Sequence, residues 1–124
     1  MAAVLVVEDE EQVRVLAVSF LEGEGYKVLS AATLEQALAL LKGDESIDLM
    51  FLDVGLRDDL EAGLALAKQS IELCPDLKVL YTTGQGVTDG MRALFVPNSE
   101  YLPKPYTTEQ LKAMLAIRFR LKAD

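Results

Sequence analysis

The stretch IDLMFLDVGL, residues 47–56, decides the fold, because it places a single charged residue at the end of an apolar run. Residues 49–52 (Leu-Met-Phe-Leu) show no alternation of apolar and polar side chains, which is typical of a strand buried on both faces. Such strands occur in parallel sheets that carry helices on either side. Asp53 is then either the place where this strand meets water or the group that the strand presents to a ligand.

Other short runs of β-branched and aliphatic residues accompany this one, and segments with helical spacing separate them. The predicted strands are Ala3–Val7, Lys27–Ala31, Leu49–Asp53, Lys78–Thr83 and a weaker Glu100–Pro103. This alternation of strands and helices predicts a doubly wound α/β fold, in which a parallel sheet has helices on both faces. Pro103 inside the last run predicts that this strand lies at an edge of the sheet.

The segments between the strands carry helix signals of different strength. The first has an apolar stripe with helical spacing that ends at a pair of glycines. Its members are Val13, Leu16, Ala17, Phe20 and Leu21. Capping boxes at residues 33–36 and 107–110 predict the starts of the second and fifth helices. The third helix is predicted over about Ala62–Leu73, and the fourth is predicted to be short because Gly90 and Pro97 interrupt it.

Composition limits the class of protein. A chain of 124 residues with 51% hydrophobic and 26% charged residues is expected to form one compact domain. The net charge of −8 disfavours nucleic acid as a partner. No apolar stretch approaches the roughly 18 residues of a membrane span, and the N-terminus lacks a secretory signal, so we expect a cytoplasmic protein. Cys74 is expected to pack, and the lack of histidine excludes Ser-His and Cys-His catalysis and histidine metal sites.

Polar side chains stand where four of the predicted strands end. Glu8 and Asp9 follow the first strand, Asp53 ends the third, Thr83 ends the fourth and Lys104 follows the fifth. Ligands of open parallel sheets bind at this edge. Two carboxylates about 4 Å apart repel by around 4 kcal/mol at an effective dielectric near 20. A hard divalent cation such as Mg²⁺, together with the ammonium of Lys104, would compensate such a cluster.

An aspartate in such a place can attack phosphorus and form an aspartyl phosphate, with the cation, Lys104 and the Thr83 hydroxyl neutralising phosphoryl oxygens. Each residue alone also has a simpler explanation. Acidic residues favour helix N-termini, and the sequence of residues 57–59 is typical of a solvated loop. Asp58 or Asp59 is a weaker candidate for the metal site. The functional interpretation rests on the whole set occurring in order at successive strand ends.

This set resembles the receiver domain of bacterial two-component response regulators, the CheY-like domain, and the resemblance covers essentially the whole chain. It rests on Glu8-Asp9, on Asp53, on Thr83-Gly84 within VLYTTG and on Lys104-Pro105 within YLPKPY. The resemblance implies a flavodoxin-like sheet of order 2-1-3-4-5. It also implies that a phosphohistidine on a sensor histidine kinase or phosphotransfer protein is the donor to Asp53, with docking near residues 12–15.

The resemblance assigns a role to each matching residue. Asp9, Asp53 and the backbone carbonyl of Gly55 would hold Mg²⁺, and Glu8 would act on the ion through water. These roles would make the chain a signalling phosphoacceptor that passes through a phosphoprotein state rather than a conventional enzyme.

Further roles concern the switch. Thr83 would hydrogen-bond a phosphoryl oxygen, Lys104 would pair with the phosphate, and the Lys104–Pro105 peptide would be cis. Tyr101 matches the aromatic switch whose rotamer follows Thr83. A downstream protein would read the changed surface of the fourth helix, fifth strand and fifth helix.

Some features depart from the family pattern and keep alternatives open. Arg57 stands where the family usually has proline, and residues 88–100 lack the usual small residues. A receiver-like scaffold that is never phosphorylated is therefore one alternative. A Mg²⁺-dependent phosphohydrolase of the haloacid-dehalogenase type is another, although it would need an aspartate where Gly55 stands. The initial Met and the lack of a trailing linker favour a single receiver domain over residues 1–124 without an effector domain.

Overall fold

The computed structural model describes residues 1–55 and 59–123, which form an alternating series of strands and helices. The strands are β1 (Ala3–Val7), β2 (Lys27–Ala31), β3 (Leu49–Asp53), β4 (Lys78–Thr83) and β5 (Ser99–Pro103). The helices are α1 (Glu11–Gly23), α2 (Leu34–Leu41), α3 (Leu60–Leu73), α4 (Asp89–Arg92) and α5 (Thr108–Ala113), and a π-helical turn (Met114–Arg118) continues α5. Four strands have the predicted bounds, and β5 begins one residue earlier than predicted.

All neighbouring strands are parallel, and their order in the sheet is β2-β1-β3-β4-β5. The predicted flavodoxin-like, doubly wound α/β fold is confirmed. Every residue of the central strands β1 and β3 is buried, whereas the edge strands are partly exposed. This burial explains the unbroken apolar run at residues 49–52, because both faces of β3 pack against helices. Pro103 lies in edge strand β5, as its missing N–H group requires.

The sheet separates two hydrophobic cores. One core contains buried residues of α2 and α3, and the other contains buried residues of α1 and α5. Successive side chains of a strand point to opposite faces, so Met50 and Leu52 enter the first core and Leu49 and Phe51 enter the second. By the same alternation Asp53 points to the face that α1 and α5 cover. None of the helices in the described part of the chain is long and apolar enough to span a membrane.

One member of the predicted stripe on α1 does not face the core. Ala17 and Leu21 are buried, but Leu16 is 71% exposed, so the prediction was wrong for that residue. The helix turns its Ala17–Leu21 line toward the sheet, and Leu16 lies beside that line, where it borders a groove rather than the strands. A helical stripe of this width includes residues at the margin of the contact, whose burial depends on the neighbouring helix.

The two predicted capping boxes differ in detail. At α5 the box is complete, because Thr107 accepts from the N–H of Gln110 and the Gln110 side chain accepts from the N–H of Thr107. At α2 the Thr33 hydroxyl accepts from the N–H of Gln36, but the Gln36 side chain accepts from Ala32 instead of Thr33. Both helices nevertheless begin at the predicted residue.

Helix α3 begins earlier than predicted, and its first turns pack tightly against the end of β3. Asp59 is the N-cap, since its Oδ1 atom accepts from the N–H of Ala62 at 3.1 Å. A Cβ atom added to Gly63 would lie 2.5 Å from the carbonyl oxygen of Val54. Glycine at position 63 therefore allows α3 to approach the backbone that follows Asp53. Helix α4 is a single turn, as its interruptions predicted, whereas the π-helical turn after α5 had no sequence signal.

Candidate functional site

Lys104 joins two buried carboxylates at the carboxyl edge of the sheet. Its Nζ atom donates to Oε1 of Glu8 at 2.6 Å and to Oδ2 of Asp53 at 3.0 Å. The backbone N–H of Lys104 donates to the carbonyl of Thr83 at 3.0 Å, so the lysine directly extends the pairing of β4 with β5. The peptide bond between Lys104 and Pro105 is cis. Glu8 is only 5% exposed and Asp53 only 7%, so water hydrates both carboxylates poorly. The ammonium of Lys104 compensates their negative charge.

The sequence-predicted acids come together around this ammonium. Carboxylate oxygens of Glu8, Asp9 and Asp53 lie within 4.8 Å of one another. Glu8 and Asp53 are buried and Asp9 is exposed, so the cluster opens toward solvent on one side. Hard oxygen donors in this number, with an open side for water, fit Mg²⁺, which takes oxygen ligands and usually keeps several waters. The residues present therefore suit the cation that the sequence suggested.

The other oxygen of Asp53 is held by the chain that follows it. The N–H of Gly55 donates to Oδ1 of Asp53 at 2.9 Å. The Thr83 hydroxyl accepts from the N–H of Gln85 at 3.2 Å. A Cβ atom at position 55 would lie 3.4 Å from Oδ1 of Asp53 and 3.7 Å from Oγ1 of Thr83, so both groups border Gly55. The Thr83 hydroxyl and the Asp53 carboxylate consequently face the same small space.

Burial and charge shift the protonation of this site. Burial and the negative charge of Asp53 raise the pKa of Glu8 from 4.5 to about 7, although the hydrogen bond from Lys104 opposes the shift. Burial alone would lower the pKa of Lys104, but its hydrogen bonds to the two carboxylates raise it above the usual value. Lys104 is therefore firmly charged at neutral pH, while Glu8 is poised between its two forms.

Tyr101 lies on the opposite face of β5 from this cluster, beside the chain that follows β4. Its hydroxyl donates to the carbonyl of Gln85 at 3.4 Å. The Arg92 guanidinium lies 5.9 Å from the centre of the Tyr101 ring, and the Phe95 ring lies 6.4 Å away. Phe95 in turn stacks on Tyr81 with 4.0 Å between ring centres. Tyr101 thus links the loop after Thr83 to the surface near α4.

Asp59, a weaker candidate for the metal site, has a different role in the structure. Asp59 caps α3, so its carboxylate serves the helix N-terminus, and the acid cluster of the described residues does not include it. Arg57 and Asp58 lie outside the described residues.

Some residues at the site carried no recognised sequence signal. Arg14 donates to the carbonyl oxygen of Glu8 at 3.0 Å, and Tyr106 packs edge-on against Phe51 beneath the acids. Thr82 faces the same side of the sheet as Asp53, its partner in the β3–β4 register. The sequence alone does not give the register between β3 and β4. With that register known, the alternation of side chains along a strand places Thr82 beside Asp53.

A groove between α1 and the start of α5 adjoins the site. It has a volume of about 750 Å³, and its lining is mainly apolar. Its lining includes Leu16, Phe20, Lys104, Pro105 and Tyr106. Because Lys104 lines the groove, a molecule lying there would be next to the side chain that donates to Asp53.

Comparison with protein families gives a match over most of the chain. The family described as the response regulator receiver domain matches residues 4–116. The transcriptional regulatory protein CpxR of Klebsiella pneumoniae subsp. pneumoniae (strain HS11286) is 32% identical over 115 residues, which cover 93% of this chain and 48% of that protein. The KDP operon transcriptional regulatory protein KdpE of Escherichia coli (strain K12) is 32% identical over 127 residues, covering 97% of this chain and 52% of that protein. The chain spans about half the length of these curated relatives.

Solved structures of receiver proteins have the same fold. A CheY-like receiver domain protein from Methanospirillum hungatei JF-1 superposes with a TM-score of 0.84 at 24% identity, over 97% of this chain and 94% of that one, and so supports the fold. The response regulator TrrA of Thermotoga maritima, solved in complex with Mg²⁺-BeF, gives a TM-score of 0.77 at 28% identity, over 93% of this chain and 96% of that one.

Proposed function

The chain belongs to the response regulator receiver domain family, and from that premise we propose that it accepts a phosphoryl group on Asp53 from a phosphohistidine of a sensor histidine kinase or phosphotransfer protein. The observation that carries the proposal is the position of the Asp53 side chain. One of its oxygens accepts from Lys104 and the other from the N–H of Gly55, while Glu8 and Asp9 lie within reach of a shared cation. These groups supply what phosphoryl transfer needs, namely a positioned acceptor and neutralisation of the negative charge on the phosphoryl oxygens.

Each of these residues has a defined task in the proposal. Asp9, Asp53 and the Gly55 carbonyl would hold Mg²⁺, and Glu8 would act on the ion through water; a bound ion would neutralise charge on the incoming phosphoryl oxygens. Lys104 binds another phosphoryl oxygen, and Thr83 donates its hydroxyl to a third. The Mg²⁺-BeF complex of the Thermotoga maritima relative supports the choice of cation.

The signal leaves the site through Thr83 and Tyr101. A phosphoryl group adds about −1.5 to −2 charges at neutral pH. Thr83 moves toward this charge, and Tyr101 follows into the space behind it. The surface of α4, β5 and α5 then changes, and a downstream protein reads the change. The acidic chain, with net charge −8, favours a protein over nucleic acid as this partner. We further propose that signalling takes place in the cytoplasm.

The donor docks on the groove between α1 and α5. Leu16 is 71% exposed at its edge, and Val15, in the segment that the resemblance indicated, is 55% exposed. An apolar helix face of the donor would cover Leu16 and Phe20 and bring a phosphohistidine to Lys104 and Asp53. A Leu16→Glu variant should then lose transfer from a phosphorylated histidine phosphotransfer protein and keep its reaction with acetyl phosphate.

Incubation with Mg²⁺ and acetyl phosphate tests the phosphoacceptor. Intact-protein mass spectrometry should detect the addition of one phosphoryl group to the wild-type protein. The Asp53→Asn variant should gain none, and the Asp59→Asn variant, altered only at the cap of α3, should behave as the wild type. A folded wild-type protein that binds Mg²⁺ and gains no phosphoryl group would instead identify a binding scaffold.

A further inference from the structure

Thr82 has a buried hydroxyl whose hydrogen-bonding capacity is unused by the protein. The residue is 3% exposed, near the end of β4. Among the buried side-chain nitrogen and oxygen atoms of residues 1–55 and 59–123, the Oγ1 atom of Thr82 is the one without a hydrogen-bond partner. A valine side chain has nearly the same shape and would avoid the cost of burying an unpaired hydroxyl. An unpaired hydroxyl at a reactive site therefore calls for a partner that is not a protein group.

Thr82 stands directly beside the acceptor aspartate. Thr82 and Asp53 are partners in the register of β3 and β4, and the carbonyl of Thr82 accepts from the N–H of Val54 at 3.0 Å. Side chains at paired positions of parallel strands lie on the same face of the sheet. The Thr82 side chain consequently lies next to Asp53 on the neighbouring strand, on the same face of the sheet.

A small cavity lies between these residues and α1. Its volume is about 10 Å³, which is close to the minimum for one water molecule. Its polar lining residues are Glu8, Asp53, Thr82 and Tyr106, and its apolar lining residues are Val6, Val7, Val13 and Phe51. Ionised carboxylates only accept hydrogen bonds, so when both acids are ionised a single water can accept from the Thr82 hydroxyl and donate to each of them. The site offers the two to four polar partners that a buried water requires.

We propose that Thr82 is a positioning residue for phosphoryl transfer, and that it acts through one buried water which it shares with Glu8 and Asp53. The hydroxyl donates to the water oxygen, and the water donates one hydrogen to each carboxylate. Gly55 and Lys104 each fix one oxygen of Asp53. The water adds a third restraint, which holds the plane of the carboxylate in the orientation for attack on phosphorus. This inference rests on the phosphoacceptor function proposed above.

Thr82→Val and Thr82→Ser variants test the role. Rates of phosphorylation by acetyl phosphate in saturating Mg²⁺ should fall roughly five-fold at saturating donor in the valine variant, with little change in the half-saturating donor concentration. The serine variant, which keeps the hydroxyl, should stay within about two-fold of the wild type. Ser70→Ala is the matched control, because it removes a buried hydroxyl that donates to Leu66 within α3, away from the site.

A crystal structure of the wild-type protein without metal provides a readout that does not depend on phosphorylation. It should contain a water within hydrogen-bond distance of the Thr82 hydroxyl, and the valine variant should lack it. A dry cavity in the wild type, or a valine variant that is phosphorylated at the wild-type rate, would overturn the role of Thr82 alone. A wild-type protein that gains no phosphoryl group would overturn the phosphoacceptor function and this role with it.

Discussion

The Nζ atom of Lys104 lies 2.6 Å from Oε1 of Glu8, closer than its 3.0 Å distance from Oδ2 of Asp53. The resemblance had implied that Lys104 serves the phosphate and Glu8 the metal. The ammonium provides a positive charge that both buried carboxylates need. We therefore expect Mg²⁺ at the proposed site to compete with Lys104 for these acids, and binding of the cation to weaken the hydrogen bonds from the lysine.

Removing this ammonium should strengthen Mg²⁺ binding. In a Lys104→Met variant the cation no longer competes with a charged group for Glu8 and Asp53, and we expect about a three- to tenfold lower Kd, which corresponds to about 1 kcal/mol. Isothermal titration calorimetry measures the change. Lys112→Met is the matched control, since Lys112 pairs with Glu24 at the exposed end of α1. Weaker Mg²⁺ binding in Lys104→Met would mean that the lysine organises the acids rather than competing for them.

Glu8 should make the stability of the metal-free protein depend on pH. Its pKa is about 7 in the folded protein, against 4.5 as the ordinary value. Between these values the folded protein binds more protons than the unfolded chain, so the free energy of unfolding falls as pH rises through this window. Below pH 4.5 and above pH 7 this contribution is constant. We expect a decrease of about 1–3 kcal/mol across the window.

Urea unfolding in EDTA at several pH values measures this decrease. The Glu8→Gln variant removes the titrating group and should show a flatter profile over the same window. Glu11→Gln, on the exposed first turn of α1, serves as the matched control and should keep the wild-type slope. Parallel profiles for wild type and Glu8→Gln would show that another group titrates there. With Mg²⁺ present the cation affinity should rise with pH, because the ligands must be deprotonated.

The close approach of α3 to the end of β3 makes position 63 intolerant of a side chain. In a Gly63→Ala variant the new Cβ would stand 2.5 Å from the Val54 carbonyl oxygen and 2.9 Å from its Cα, so the backbone next to Asp53 has to move. We expect a loss of about 1–3 kcal/mol in the free energy of unfolding. Gly23→Ala at the end of α1 meets no atom within 4 Å and should be neutral or stabilising by up to about 1 kcal/mol. Equal stabilities for both variants would contradict the packing argument.

Local sequence patterns predicted the strands and the residues of the candidate site. They did not predict features that depend on contacts between distant segments of the chain. The unbroken run before Asp53 and the strand-end positions of Glu8 and Lys104 are local signals, and the sheet order brings these residues together. Leu16 is exposed and lines the groove between α1 and α5, and the apolar spacing within α1 does not specify where α5 lies. The side of the sheet that Thr82 faces follows from the register with β3, which sequence periodicity alone does not fix.

The hydroxyl of Tyr81 is expected to anchor the chain that leads into β5. Tyr81 is fully buried, and its oxygen accepts from the N–H of Val96 at 3.0 Å. Burial raises the pKa of this hydroxyl, which therefore stays neutral at physiological pH. Tyr81→Phe removes the acceptor and leaves the buried Val96 N–H unpaired, which costs about 1–3 kcal/mol. The stacked Phe95 ring keeps its aromatic partner in this variant, so the loss reports on the hydrogen bond itself.

Tyr101→Phe is the matched change on the neighbouring strand. The Tyr101 hydroxyl reaches an exposed carbonyl at 3.4 Å, so its removal should cost less than about 0.5 kcal/mol. Urea unfolding compares the two variants, and amide hydrogen exchange should detect faster exchange at Val96 in Tyr81→Phe alone. Because Phe95 lies between Tyr81 and Tyr101, loosening this anchor should also raise the mobility of the surface near α4. Unchanged exchange at Val96 in Tyr81→Phe would show that water or another group replaces the tyrosine oxygen, and that the anchor does not hold this surface.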